Sequence, residues 1–208
     1  MAFIATFIAA LATIPVAFSS PIQAANNTLQ ARQSCTYGGT WEDFPPMSEW
    51  WAWSDIFNAY EQSMVDAGSS WDDVGRIAVA IEDAAADIGV DERVILGIIL
   101  QESSGYVGVI CTGGNDCGIM QCEGCPGYPG QNELPQSDTS AMVNGGTEHI
   151  KSNLEDFGDL DDPSSIYPAL REYNSGSVDS DDLSVAAGGY GVPCYVSDIA
   201  RRFMGEVF

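Results

Sequence analysis

Positive charge is the scarcest property of this sequence. Seven Lys and Arg stand against thirty Asp and Glu in 208 residues, a formal net charge of −23 at pH 7. That balance excludes nucleic acid as a partner, because phosphate contacts need basic patches, and it opposes binding to anionic membranes. Histidine is scarce too: His149 is the only one. With so few nitrogen ligands and no second Cys pair at matching spacing, neither a metal nor another cofactor is expected. No internal repeat and no low-complexity domain is present, and no second hydrophobic span follows the N-terminal one. The abundant acid has two readings. It solubilises the chain, or it suits a medium acidic enough to protonate many of the carboxylates, where a negative field also favours the protonated form of any acid in a cleft.

From Phe3 to Phe18 the chain is apolar apart from Thr and Pro15, and Ala24 and Ala25 are small. Residues 1–24 therefore read as a secretory signal peptide, with export and no membrane association after its removal. Residues 25–34, with the sequon Asn26-Asn27-Thr28, read as a disordered leader or short propeptide, and 35–208 as a single, monomeric domain. Six cysteines remain: Cys35, Cys111, Cys117, Cys122, Cys125 and Cys194. An even count in an exported chain reads as three disulfides of open connectivity. The lone Cys122-x-x-Cys125 also admits zinc or redox chemistry, but with less support.

Helical spacing dominates the rest. Trp50, Trp53, Phe57, Tyr60 and Met64 recur at three and four residues, predicting a helix over 48–67 with an aromatic core face, and Trp51 off that stripe as a surface contact. Val74, Ile77, Ala78, Ile81, Ala85 and Ile88 predict a second helix, capped by Ser70 or Asp72 and stopped at Gly89. Further helices are expected over 137–157, 164–173 and 195–207, with 106–130 mostly loop and a short hairpin. The fold class is mainly α, with a small β contribution.

The stretch from Asp91 to Gln121 organises the chain. Asp91 is a good N-cap, and six of the seven residues from Val94 to Leu100 are large and aliphatic, so this helix belongs inside the core. Glu102 follows Val94 and Ile98 at steps of four, at the last turn of that helix. An unpartnered carboxylate there keeps its proton to higher pH, and a protonated carboxylic acid is what glycosidic bond cleavage needs as general acid. The plainer alternative is a helix-end Glu facing water, or paired with Arg93 or Arg171.

Glu102-Ser103, then Gly118-Ile119-Met120-Gln121, then Tyr173-Asn174-Ser175-Gly176 resemble, in that order, the motifs of the soluble lytic transglycosylase and goose-type lysozyme group. Asn144-Gly145-Gly146, leading into a helix, and Pro193-Cys194-Tyr195-Val196, opening the last one, agree with it. The resemblance spans 74–203 and implies a lysozyme-like fold with a buried central helix ending in the catalytic Glu. It implies a polysaccharide substrate, peptidoglycan or chitin oligomers, with Glu102 protonating the glycosidic oxygen. Ser103, Met120, Gln121, Tyr173 and Asn174 would bind substrate. Tyr173 would bring its hydroxyl near Glu102 or the substrate's N-acetyl group, and Asn174 would touch substrate or fix its loop.

A second carboxylate is what the motifs do not supply. Glu123 stands two residues after Gln121, where goose-type lysozymes carry an acid, and Asp116 is the other candidate. With such a group the reaction is hydrolysis. Without it the resemblance implies anhydro-forming transglycosylation, in which the substrate's own groups complete the reaction. A chitinase-type hydrolase and a catalytically silent glycan-binding protein are the remaining alternatives.

Overall fold

The computed structural model describes residues 35–188 and 190–208; the expected signal peptide and leader lie outside the described residues. Two 3-10 turns, Trp41–Asp43 and Met47–Glu49, lead into α1 (Trp53–Ala67), α2 (Trp71–Ile88) and α3 (Glu92–Ser103). A two-stranded antiparallel ladder of β1 (Asp116–Cys117) and β2 (Cys122–Glu123) follows, then α4 (Gln136–Phe157), α5 (Pro163–Ser175) and α6 (Tyr195–Phe203). The described chain is mainly helical, as the spacing predicts.

α3 is the centre of the packing. Every residue from Val94 to Leu100 is buried, and α1, α2, α4 and α6 all touch this helix. Asp91 caps it by accepting from the Arg93 backbone N–H at 2.8 Å. Gly97 admits α6: a Cβ there would stand 2.7 Å from Cγ2 of Ile199. The helix stops where Ser104 and Gly105 turn left-handed, at φ of 54° and 76°. α2 carries the expected cap, since the Ser70 hydroxyl accepts from Asp73 N at 3.1 Å, and Gly89 is its left-handed stop.

Two helix ends and one motif differ from expectation. The helix expected from Ser48 begins at Trp53, because Trp51 donates its backbone N–H to Phe203 O (2.8 Å), a tertiary bond that leaves the chain extended there. Trp50 is still a core residue, stacked on Phe203 with ring centroids 4.0 Å apart. Trp51 is exposed, its ring over Gly205. The last helix ends at Phe203, because Gly205 at φ 80° turns the chain back on α6. Asn144-Gly145-Gly146 lies within α4 and does not lead into a helix.

The disulfides join Cys35 to Cys194, Cys111 to Cys117 and Cys122 to Cys125. The first ties the start of the described chain to the N-cap of α6, and the other two brace the hairpin. Both thiols of the CxxC are thereby occupied by each other. Three such bonds fit an oxidising, extracellular-type compartment. Among the described residues no helix is long and apolar enough to cross a membrane.

Candidate active site

Glu102 occupies the last turn of the buried helix, at the base of a cleft of about 400 Å³. The cleft is lined by Glu102, Gln121, Glu123, Tyr173 and Asn174, so five of the residues singled out in the sequence converge on one space. Asp116, the alternative second carboxylate, lines it too, as does His149.

The Glu102 carboxyl is half-buried and has lost much of its hydration. Burial pushes its pKa from 4.5 up to about 7, the negative charge of Asp116 adds to the rise, and a hydrogen bond from Tyr195 opposes it. Neither arginine considered for it is its partner. Arg93 is bidentate on Asp91, at 2.9 and 2.6 Å. Arg171, fully buried, donates to Asn174 Oδ1, Val192 O and Ser175 Oγ.

The phenol that reaches the carboxyl is Tyr195, not Tyr173. Tyr195 donates its hydroxyl to Glu102 Oε1 at 2.7 Å. Tyr173 donates to the Met120 carbonyl at 2.8 Å, which locks the segment before Gln121 against α5. The reason is register. Tyr195, Ile199 and Phe203 are buried at steps of four, so the first turn of α6 points its tyrosine down the same channel as the last turn of α3. That continuation of the Ile199–Phe203 stripe by one step back was the signal available in the sequence.

The Gly118–Gln121 segment is held by close packing. Gly118 adopts φ 74°, and Gly146 of α4 gives Met120 room, since a Cβ there would collide with the methionine side chain. Met120 is consequently in the core with no exposed surface, and its contribution is its carbonyl. Ser103, partly buried, does not line the cleft: its single hydroxyl proton is shared between Ile99 O (3.0 Å) and Ile119 O (2.7 Å), stapling the end of α3 to the segment. These two side chains are therefore supports, a correction to their expected place among the substrate contacts. Gln121 sits in the left-handed region at φ 48°, a cost tolerated where surrounding contacts impose it. Its Nε2 donates to Gly118 O and its Oε1 accepts from Thr112 Oγ1, both at 2.8 Å. Asn174 fixes its loop, accepting from Val192 N at 2.7 Å.

Asp116 and Glu123 face each other directly across the ladder. Directly opposed like charges destabilise a strand pair, so the hairpin holds them against its own stability. Asp116 is the one whose charge acts on Glu102 and Tyr173, while Glu123 acts chiefly on His149. The imidazole lies 4.7 Å from the Tyr173 ring, and burial holds its pKa below 6.5 although both carboxylates pull it upward. Among the described residues neither Asp116 nor Glu123 is paired with a Lys or Arg. Chemically, the cleft offers one carboxyl able to give up a proton near neutrality, facing two carboxylates, an amide and a phenol. No group of His, Cys, Asp and Glu among the described residues is disposed to hold a metal ion. The chain matches no protein-family model and no curated protein.

Proposed function

We propose that this protein is a secreted, lysozyme-like glycosidase that cleaves β-1,4 bonds of bacterial peptidoglycan, with Glu102 as general acid. The observation that carries the reading is the pKa of about 7 at a carboxyl fixed by Tyr195 at the base of a cleft. Such a group is still protonated under mildly acidic conditions and can donate to a leaving oxygen. Gln121 lines the cleft with its amide held by Gly118 O and Thr112 Oγ1, and the second Nε2 proton is the one it would offer a sugar. Asp116 and Glu123 favour hydrolysis over anhydro-forming transfer, because a carboxylate across the cleft can activate water. Of the two, Asp116 is the better second group, since Glu102 senses its charge. Three disulfides and the apolar N-terminal run support export.

A second reading, a chitin-type hydrolase, is favoured by the lining itself: three carboxylates and only His149 as a basic group suit an uncharged glycan. Glu102→Gln is expected to abolish turnover on both polymers while sugar binding persists. Mass spectrometry of the wild-type products on purified peptidoglycan then separates reducing ends from anhydro ends, which are lighter by one water. Undiminished lysis by the Gln variant would remove Glu102 from the mechanism.

A further inference from the structure

A second cavity, of about 340 Å³, opens between the C-terminal ends of α1, α3 and α6. Tyr60, Ser63, Leu100, Ser104, Arg202 and Phe208 line it. Arg202 is the unusual member. It is only 7% exposed, its Nη1 donates to Gln101 Oε1 at 2.5 Å, and its Nε is buried with no acceptor. No carboxylate lies within ion-pairing distance of it among the described residues, whereas its neighbour Arg201 pairs with both Asp198 (3.4 Å) and Glu206 (2.8 Å).

A guanidinium removed from water without an anion is among the most costly arrangements a fold can hold, and an orphaned buried donor adds to that cost. Buried cations are normally met by a paired anion; among the described residues no carboxylate is within ion-pairing distance of Arg202, and it is chiefly the Tyr60 hydroxyl and the more distant Asp198 that offset its burial. The cavity beside Arg202 has room for one. Its hydroxyls, Ser63 and Ser104, can donate to an anion, while the Tyr60 hydroxyl is already engaged with Glu206 O at 2.6 Å. Leu100 and the Phe208 ring, the latter 4.4 Å from the guanidinium carbon, supply an apolar wall. Asp66 also lines the cavity, its carboxylate accepting from Gln62 Nε2 at 2.8 Å, and its charge disfavours a dianion.

We propose that this cavity binds a small organic monocarboxylate, in the size range of acetate to lactate, whose oxygens pair with Arg202 and whose carbon end lies on Leu100 and Phe208. A planar carboxylate matches the guanidinium fork in a way that chloride does not. The site stands apart from the cleft and does not depend on the chemistry proposed there.

The test is thermal unfolding of the full chain at pH 6.5 in rising sodium acetate, propionate or lactate, against sodium chloride at matched ionic strength, with calorimetric titration of the same salts. A ligand that binds only the folded state raises Tm with its concentration. The expected result is a saturable rise of several degrees with the carboxylates, at the half-saturation seen by calorimetry, and none with chloride. Arg202→Gln should lose the response. Should that variant fail to fold, Ser63→Glu decides, since it places a carboxylate in the cavity and should raise Tm without ligand while removing the saturable response. An equal shift with chloride, no saturable heat in the wild type, or a Ser63→Glu variant that titrates like the wild type would overturn the proposal.

Discussion

At the scale of single residues, burial raises the pH at which the proposed acid loses its proton, and one hydrogen bond moderates that rise. Tyr195 donates to Glu102 Oε1, which stabilises the carboxylate and so works against burial. An acid that acts protonated loses activity as pH rises through its pKa, here about 7. Removing the donor with Tyr195→Phe takes away a contact that favours the charged form, so the pKa moves further up and the falling limb of kcat/KM moves to higher pH. The same change frees the carboxyl to rotate, and a fall in kcat of roughly tenfold or more is expected from lost orientation. A pH–rate profile of the variant checks both; a limb displaced to lower pH would mean that Tyr195 does not donate to Glu102 in solution.

At the scale of the helix, the same substitution at two glycines has opposite signs. Gly75 in α2 is exposed, and a Cβ there meets nothing within 4 Å, so Gly75→Ala is expected to stabilise by about 0.5–1 kcal/mol through helix propensity alone. Gly97 in α3 faces Cγ2 of Ile199 at 2.7 Å and Cε1 of Phe203 at 3.2 Å, both buried side chains that cannot swing away. Gly97→Ala is expected to destabilise by about 1–3 kcal/mol despite the better propensity, because overpacking outweighs it. Urea midpoints at constant slope measure both. The contrast also marks what the chain reveals in advance. The stripes of α2, α3 and α6 are legible because burial imposes a period of 3.6, and Glu102 is legible as the next step on such a stripe. The start of α1 is not, because the Trp51 backbone bonds to Phe203 across the molecule. Nor are the burial of Met120 and the bonding of the Ser103 hydroxyl, which depend on Gly146 lying against Met120 and on Ile119 O lying against Ser103.

At the scale of the whole molecule, the proposed activity on peptidoglycan makes charge decide when the cleft can meet that polymer. Arg76, Arg93 and Arg201 are paired with neighbouring carboxylates and Arg171 and Arg202 are buried, so little positive charge faces outward against a net charge of −23. Peptidoglycan is anionic, and two like-charged bodies approach slowly unless salt screens them or protons remove the charge. Exposed carboxylates take up protons near pH 4, while Glu102 keeps its own until about 7. Between those values the acid remains competent and the repulsion weakens as pH falls. Lysis measured from pH 3 to pH 8 is therefore expected to peak on the acidic side. Raising the ionic strength from about 10 to 150 mM, which shortens the screening length from roughly 30 to 8 Å, should accelerate it at pH 6 and change it little at pH 4. Uncharged chitin oligomers should show neither salt effect. A maximum at neutrality, or a salt response that slows lysis at pH 6, would mean that the surface charge does not govern the encounter.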